Sequence, residues 1–305
     1  MGFINKKPAV LFKNTHSDIH QGNYIKTPNA SYPMRILISI DAEGLAGITS
    51  GSQVLPGSRD YLLGKDIMNL SANAVIKGIS DSMDNEITVV DAHDGNRNID
   101  VLKLDGKSSA ILGWPKPLSM AQGVENSDAI YLIGYHSMAG TKGGVLSHTY
   151  TANVHRLFIN GIETGETYIT AAVAGEFGVP VKMFAGDDKA VEEARRILKD
   201  CEFVTLKTGI SRYSSRSISI HRACELLEEG SRKALDAKGT ILKVNGPVEV
   251  RVEFNNPAMA DNCMIFNGIR RVDGYTVSAS ADNMIQAYNT FRVLASLSNF
   301  DHEGY

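Results

Sequence analysis

The sequence predicts an α/β fold, in which a doubly wound, largely parallel sheet is followed by a smaller α+β region. Short apolar strands alternate with segments whose apolar residues recur at helical spacing, as in strand-helix-strand units. Each early strand ends in polar residues, and in doubly wound sheets such strand ends line the ligand-binding edge. Beyond residue 205 the pattern changes, since alternating Val248, Val250, Val252 and Phe254 predict a half-buried antiparallel strand.

These patterns divide the chain into three predicted parts. Residues 1–33 are rich in Asn, Lys, His and Thr and predict a flexible N-terminal extension. Residues 34–205 are predicted to form the α/β domain, and residues 206–305 the smaller α+β domain.

The individual elements follow from local patterns. The predicted strands are 36–40, 86–90, 129–133, 180–185, 203–206, 248–254 and 274–279. The predicted helices are 60–83, a short one near 119–124, 165–178, 188–199 with Asp188 as its cap, 218–237 and 281–297. Between them, Asn160-Gly161 predicts a hairpin that joins 154–159 to 162–163, because this dipeptide suits the positive φ angles of a type I′ turn.

Composition excludes several classes of protein. The chain has 305 residues, of which 43% are hydrophobic and 21% charged, and its net charge is -3. These values are typical of a globular protein and give no reason to expect nucleic acid or an anionic membrane as a partner. No apolar run approaches the roughly 20 residues of a membrane-spanning helix. The three cysteines are isolated in the sequence, which predicts reduced thiols and a cytoplasmic location.

Residues suited to metal binding follow the first three strands. Asp41 and Glu43 follow the first strand, His93 the second and His136 the third. Two adjacent carboxylates repel each other unless a cation or a shared proton lies between them. Zinc binds both imidazole and carboxylate, and a two-metal site needs a carboxylate that bridges ions about 3.5 to 4 Å apart. Glu166, which the hairpin brings in, is the best candidate for a fifth ligand.

Purely structural interpretations of the same residues remain open. Asp-x-Glu after a strand is also typical of an ordinary acidic turn, and a single histidine at a strand end is often a hydrogen-bonded structural residue. Two histidines at matching strand ends, beside a third strand end with two carboxylates, favour the metal site.

Several motifs together resemble the DppA-type D-aminopeptidase family of zinc peptidases, from about residue 34 to about residue 297. The matching segments, in chain order, are Asp41-Ala42-Glu43-Gly44, Asp91-Ala92-His93-Asp94, Gly134-Tyr135-His136, Ser147-His148-Thr149, Thr164-Gly165-Glu166 and Gly186-Asp187-Asp188. The resemblance implies two zinc ions held by Asp41, Glu43, His93, His136 and Glu166, with Asp41 as the bridge. It also implies that His148 is the catalytic histidine, and that the chain assembles into a ring-shaped homodecamer. The same oxygen and nitrogen ligands also accept Mn²⁺ or Co²⁺.

The expected function is that of an aminopeptidase that releases N-terminal residues from short peptides or amides through a metal-activated water. His148 would donate a hydrogen bond to the oxyanion or a proton to the leaving amine. Asp187 is a candidate ligand for the substrate's α-amine, and equally a helix cap. The preference for D-residues comes from the family resemblance; the sequence leaves L-, β- and isopeptide substrates open. Two alternatives are a metal-dependent phosphohydrolase, for which no Lys or Arg cluster is evident, and a non-catalytic scaffold that binds peptides or metal.

Overall fold

Two sheets make up the β-structure of the computed structural model, which describes residues 33–81 and 84–299. The extension predicted at residues 1–33 therefore lies outside the described residues, except for Pro33. The strands are β1 (Arg35–Ile40), β2 (Glu86–Asp91), β3 (Ser108–Ile111), β4 (Ala129–Tyr135), β5 (Val154–Ile159), β6 (Ile162–Thr164), β7 (Val181–Asp187), β8 (Glu202–Ser211), β9 (Ser214–Ser217), β10 (Val248–Phe254), β11 (Arg270–Arg271) and β12 (Thr276–Ala281). The helices are α1 (Gly51–Val54), α2 (Tyr61–Ser80), α3 (Glu166–Glu176), α4 (Asp188–Ile197), α5 (Ile220–Asp236), α6 (Pro257–Cys263) and α7 (Met284–Leu297).

The larger sheet has seven strands in the order β3-β2-β1-β4-β7-β8-β9. All neighbouring pairs are parallel except β8 and β9, which form an antiparallel hairpin. The connection from β3 to β4 crosses to the other side of β1 and reverses the winding direction, as in other doubly wound folds. The predicted fold class is confirmed.

The smaller sheet has five antiparallel strands in the order β11-β12-β10-β5-β6. Its β5-β6 hairpin turns at Asn160 and Gly161, whose φ angles are 49° and 78°, as the dipeptide predicted. This sheet combines a hairpin from residues 154–164 with strands beyond residue 247. Conversely, β8 continues the large sheet to Ser211, and the domain boundary near residue 205 stays a prediction.

Successive side chains of β1 point to opposite faces of the large sheet and pack into a different apolar cluster on each face. Ile36, Ile38 and Ile40 pack into an apolar cluster with α2 and α5, whereas Leu37 belongs to a second cluster with α3, α7 and the small sheet. Because both faces are covered, the strand is apolar from Ile36 to Ile40 except at Ser39. The Ser39 hydroxyl is buried but donates to the Met120 carbonyl oxygen at 2.7 Å.

Some local predictions differ from the structure. The segment predicted as a short helix near 119–124 forms two 3₁₀ turns, 119–121 and 124–126, because Gly123 between them has a φ of 102°. Asp187, one residue earlier than predicted, caps α4 by accepting from the backbone N–H groups of Lys189 and Ala190. The short elements α1, β3, α6, β9 and β11 are additional to the prediction. Within the described ranges, no helix is long and apolar enough to cross a membrane.

Candidate metal centre

The carboxyl ends of β1, β2 and β4 lie side by side in the large sheet. Ile40 pairs with Asp91 on one side and with Ile133 on the other, so the three strands end at the same level. Asp41 and His136 follow their strands directly, His93 lies two residues after β2, and the three side chains meet at this edge. The polar strand ends that the sequence indicated therefore converge because of the parallel register.

All five predicted ligands are brought together, and they form two groups of three with His148. The first group contains Asp41, Glu43 and His93, and the second contains His136, His148 and Glu166. Within each group the possible ligand atoms lie within 4.8 Å of one another.

Asp41 contacts both groups. Its Oδ1 lies 3.3 Å from His93 Nδ1, and its Oδ2 lies 3.5 Å from His136 Nε2. On either side, Glu43 Oε2 lies 3.1 Å from His93 Nδ1, and Glu166 Oε1 lies 3.4 Å from His136 Nε2. Asp41 is thus the side chain whose two oxygens can serve two ions, which is the property expected of a bridging ligand.

Each histidine of the cluster has one ring nitrogen fixed by a backbone carbonyl oxygen. His93 Nε2 donates to Val54 at 2.8 Å, His136 Nδ1 to Ser137 at 3.0 Å and His148 Nδ1 to Leu146 at 2.8 Å. A carbonyl oxygen can only accept, so in the neutral imidazole the opposite nitrogen carries no proton. In all three rings that opposite nitrogen faces the carboxylates, which is the arrangement that metal-bound histidines require.

Burial and mutual repulsion perturb the carboxylates strongly. Burial, together with the neighbouring Glu43 carboxylate, raises the pKa of Asp41 to about 7. Burial also opposes ionisation of Glu43 and Glu166, but His93 lowers the pKa of Glu43 well below its usual range, and His136 lowers the pKa of Glu166. The cluster therefore retains negative charge only with the help of neighbouring positive charge.

The pKa values of the three histidines shift in different directions. Burial works against the charged form of His93 and His136, but the carboxylates of Glu43 and Glu166, respectively, raise their pKa values well above the usual range. His148 differs, because burial and the nearby His136 lower its pKa. Its ring stacks on that of His136, with centroids 4.0 Å apart and an interplanar angle of 14°.

Three buried polar atoms show whether the cluster is suited to binding cations. Asp41 Oδ2, Glu43 Oε2 and His136 Nε2 are buried and have no hydrogen-bond partner among the described residues. Buried polar atoms of this kind are costly unless they are paired or coordinate a metal. A set of carboxylate oxygens and imidazole nitrogens is also the donor set that zinc uses. The residues present therefore fit a pair of divalent cations.

Two glycines allow the Asp41 loop to lie against the end of β4. Gly44 donates to the Gly134 carbonyl oxygen at 2.7 Å, and a Cβ at Gly44 would lie 2.0 Å from the Tyr135 carbonyl oxygen. Gly134 has a φ of 74°, and a Cβ there would lie 2.1 Å from the Asp41 carbonyl oxygen. Larger residues would push the Asp41 and His136 segments apart.

A cavity of about 610 Å³ opens onto the cluster. Glu43, His93, His148 and Glu166 line it, so both groups of three are accessible from the same space. Its apolar walls include Val54, Leu55, Trp114, Met120, Leu146, Tyr150 and Tyr213. His148 Nε2 lies 3.9 Å from Glu166 Oε1, and its side chain is 24% exposed, more than the buried histidines beside it.

Asp187 is the one predicted site residue that belongs to neither group of three. Its side chain is fully buried, and its Oδ1 accepts from Lys189 N at 2.8 Å and from Ala190 N at 3.0 Å. It is not among the cavity-lining residues, so the helix cap accounts for its position.

Two cationic residues near the site had no motif that assigned them a role. Lys207 is buried on β8 and donates to the carbonyl oxygens of Glu43, Leu45 and Ile48. Arg212, between β8 and β9, lines the cavity. The one local signal for Lys207 is a cation directly after the apolar Leu206, which alternation along a strand also explains.

This architecture defines a class of protein: a doubly wound α/β protein with a candidate metal centre at the carboxyl edge of its parallel sheet. A family model described as peptidase family M55, D-aminopeptidase, matches residues 34–293. The D-aminopeptidase of Bacillus subtilis (strain 168) is 33% identical over 270 residues, which cover 87% of this chain and 98% of that protein. The chain therefore belongs to the D-aminopeptidase family of peptidases, and the resemblance found in the sequence is confirmed.

A solved structure agrees with this assignment. The structure of the Zn-dependent D-aminopeptidase DppA from Bacillus subtilis, described as a self-compartmentalizing protease, superposes with a TM-score of 0.85. The two chains are 32% identical, and the match covers 88% of this chain and 99% of that one.

Proposed function

We propose that this protein is a zinc-dependent aminopeptidase that hydrolyses N-terminal residues, D-residues included, from short peptides or amides. One observation carries the proposal: two groups of three ligand-type residues, both contacted by Asp41, open onto one cavity. The family relationship supports the same chemistry, since the relatives are D-aminopeptidases and one of them is Zn-dependent.

Two zinc ions are the proposed cofactors, with Mn²⁺ or Co²⁺ as substitutes. Asp41, Glu43 and His93 would hold one ion, and Asp41, His136 and Glu166 the other. Divalent cations held there would supply Lewis acidity, which acidifies water and polarises a peptide carbonyl group. The buried atoms of Asp41, Glu43 and His136 that have no hydrogen-bond partner among the described residues support this assignment.

His148 is proposed as the residue that moves a proton. Its Nδ1 is occupied by the Leu146 carbonyl oxygen, which leaves Nε2 directed into the site. The lowered pKa of His148 keeps Nε2 unprotonated at neutral pH. Nε2 can therefore accept the proton that the attacking water loses and deliver it to the leaving amine nitrogen, a role typically worth about 100-fold or more.

Metal analysis combined with a substrate screen tests the proposal. Wild type should contain about two zinc ions per chain and hydrolyse D- or L-aminoacyl amides. His148→Ala should lose about 100-fold or more in kcat while it keeps its zinc, because His148 is proposed as a proton carrier and not as a ligand. His155→Ala is the matched control, since that histidine lies on the hairpin strand β5 with its side chain 53% exposed.

The alternatives give different results in the same assays. A scaffold without catalytic function would bind zinc but hydrolyse none of the amides. A phosphohydrolase would cleave a chromogenic phosphate ester instead, although Arg212 is the one Lys or Arg among the described residues that line the cavity. Loss of zinc from His148→Ala would reassign this residue as a ligand.

We also propose self-association into a ring, with ten subunits as the expected number, and a cytoplasmic location. A self-compartmentalizing relative supports the ring. Met264, Ile265 and Phe266, which follow α6, are 43%, 80% and 48% exposed and are suited to a contact between subunits. Native mass spectrometry checks the assembly; a monomer at micromolar concentration would contradict it. The three cysteines are all free, as expected in a reducing compartment.

A further inference from the structure

The turn of the β8-β9 hairpin, at the rim of the cavity, carries one cationic side chain. Ser211 of β8 pairs with Ser214 of β9, which leaves Arg212 and Tyr213 as the two turn residues. Both side chains line the cavity, and both residues are otherwise exposed.

Contacts with the His148 loop hold Arg212 close to the proposed reaction position. Its Nη1 donates to the Ser147 carbonyl oxygen and lies 3.3 Å from Ser147 Oγ, and its Nε lies 3.2 Å from the Tyr213 hydroxyl. The Arg212 carbonyl oxygen accepts from Leu146 N at 2.8 Å. Ser147 directly precedes His148, so Arg212 is held against the loop that carries the proton-carrying residue.

The charge of the cavity is asymmetric. Its other lining residues that ionise are Glu43, Asp94, Glu166, His93 and His148, which belong to the metal cluster or its immediate surroundings. Arg212 adds a guanidinium cation to this lining. Its second terminal nitrogen, Nη2, has no hydrogen-bond partner among the described residues and is free to bind an anion.

We infer that Arg212 binds the C-terminal carboxylate of a short peptide substrate and so determines the preference for substrate length. The inference rests on the proposed aminopeptidase function. A short peptide ends in a free carboxylate, whose negative charge matches the guanidinium of Arg212 in the cavity lining. Arginine and carboxylate form strong, charge-assisted hydrogen bonds. A short peptide whose amino end lies at the metal cluster keeps its carboxylate inside the cavity that Arg212 lines, whereas a long peptide extends its carboxylate out of that cavity.

A purely structural role for Arg212 makes a different prediction. If its contact with Ser147 only supported the His148 loop, its loss would impair all substrates equally. If Arg212 binds the carboxylate, its loss impairs free acids and spares the corresponding amides. The ratio between the two substrates therefore separates the two roles.

Kinetics with matched substrates provide the test. The substrates are the dipeptide Ala-Gly, with D- or L-alanine, and its C-terminal amide, assayed with zinc-loaded wild type, Arg212→Gln, Arg212→Lys and the control Arg216→Gln. Arg216 is an exposed residue of β9 outside the cavity lining. Arg212→Gln should lower kcat/KM for the free acid by about tenfold to hundredfold, mainly through KM, and change the amide by less than about threefold. Arg212→Lys should retain part of the wild-type preference for the free acid over the amide, and Arg216→Gln should retain all of this preference.

Equal losses for acid and amide in Arg212→Gln would overturn the inference and leave the proposed function intact. Absence of hydrolysis by wild type would instead overturn the proposed function. In that case a binding measurement tests the role of Arg212. The ligand is an Ala-Gly analogue in which a methylene group replaces the peptide carbonyl, so that it cannot be hydrolysed. Titration compares the affinity of its free acid with that of its C-terminal amide. Tighter binding of the acid to wild type, lost in Arg212→Gln, supports the inference. Equal binding of acid and amide to wild type overturns it.

Discussion

Lys207 connects the stability of the fold to the metal-binding loop. Its ammonium group is 2% exposed and donates to three backbone carbonyl oxygens, those of Glu43, of Leu45 at 2.9 Å and of Ile48 at 2.5 Å. An ammonium group has three N–H donors, so the three carbonyl groups use all of them. Burial lowers the pKa of Lys207 to about 8, which leaves the group protonated at pH 7.

Replacing Lys207 by methionine removes these donors and keeps a side chain of similar length. Each hydrogen bond from a charged donor contributes about 1.5 to 3 kcal/mol, and carbonyl groups left without partners add to the loss. Against this, lowering the Lys207 pKa to about 8 means that burial of the charge costs about 3 kcal/mol, which the variant avoids. The free energy of unfolding should therefore fall by about 2 to 5 kcal/mol.

Urea denaturation at pH 7 with a chelator present, followed by circular dichroism, measures this change without a contribution from bound metal. Lys233→Met is the control, because that side chain is 58% exposed and pairs with Glu229 on the surface of α5. The control should lose less than about 1 kcal/mol. Zinc affinity should also fall in Lys207→Met, because the loop that carries Glu43 is no longer fixed. A loss in Lys207→Met no larger than in the control would refute the reasoning.

Three further predictions concern the metal centre and its support. Asp41→Asn should reduce the zinc content to below about one ion per chain because Asp41 contacts both groups, whereas Glu43→Gln should remove about one ion. Mass spectrometry measures the zinc content of both variants. An unchanged zinc content in Asp41→Asn would contradict the role of Asp41 as a bridging ligand. Zinc binding near pH 7 should release protons and weaken as the pH falls, because the pKa of Asp41 is about 7 and a cation competes with its proton. Calorimetry in buffers of different ionisation enthalpy counts these protons, and a count of zero would argue against the site. Gly134→Ala should destabilise the fold by about 3 kcal/mol or more, since the added Cβ meets a backbone oxygen at a positive φ. Gly57→Ala, with a φ of 80° but nothing within 4 Å of the added Cβ, should lose about 1 kcal/mol in the same denaturation assay.

Local patterns were sufficient for most of the regular elements. The apolar run in β1, the helical spacing in α2 and the Asn160-Gly161 turn each depend on residues close together in sequence, and each is where the pattern predicted it. Shorter elements such as β3 and β9 have only four residues each, too few for periodicity to distinguish them from loops. The pairing of β10 with β5 joins segments about 90 residues apart, which no local pattern encodes.

The candidate site was likewise predicted in part from the sequence, and the rest required the structure. Polar residues after apolar strands identified Asp41, Glu43, His93 and His136, because parallel strands that end together place their next residues together. The division into two groups, and the position of His148 beside Glu166, required the actual distances.

By itself the sequence determined which side chains stand at the carboxyl edge of the sheet, since strand periodicity and the residue types that follow each strand are local properties. The tertiary structure alone decided which backbone carbonyl oxygens orient the histidines, why Asp187 caps a helix instead of facing the cavity, and where Lys207 and Arg212 act. The physical reason is that hydrogen bonding, burial and charge pairing depend on atoms from segments far apart in the chain, and folding alone brings those atoms within reach of one another.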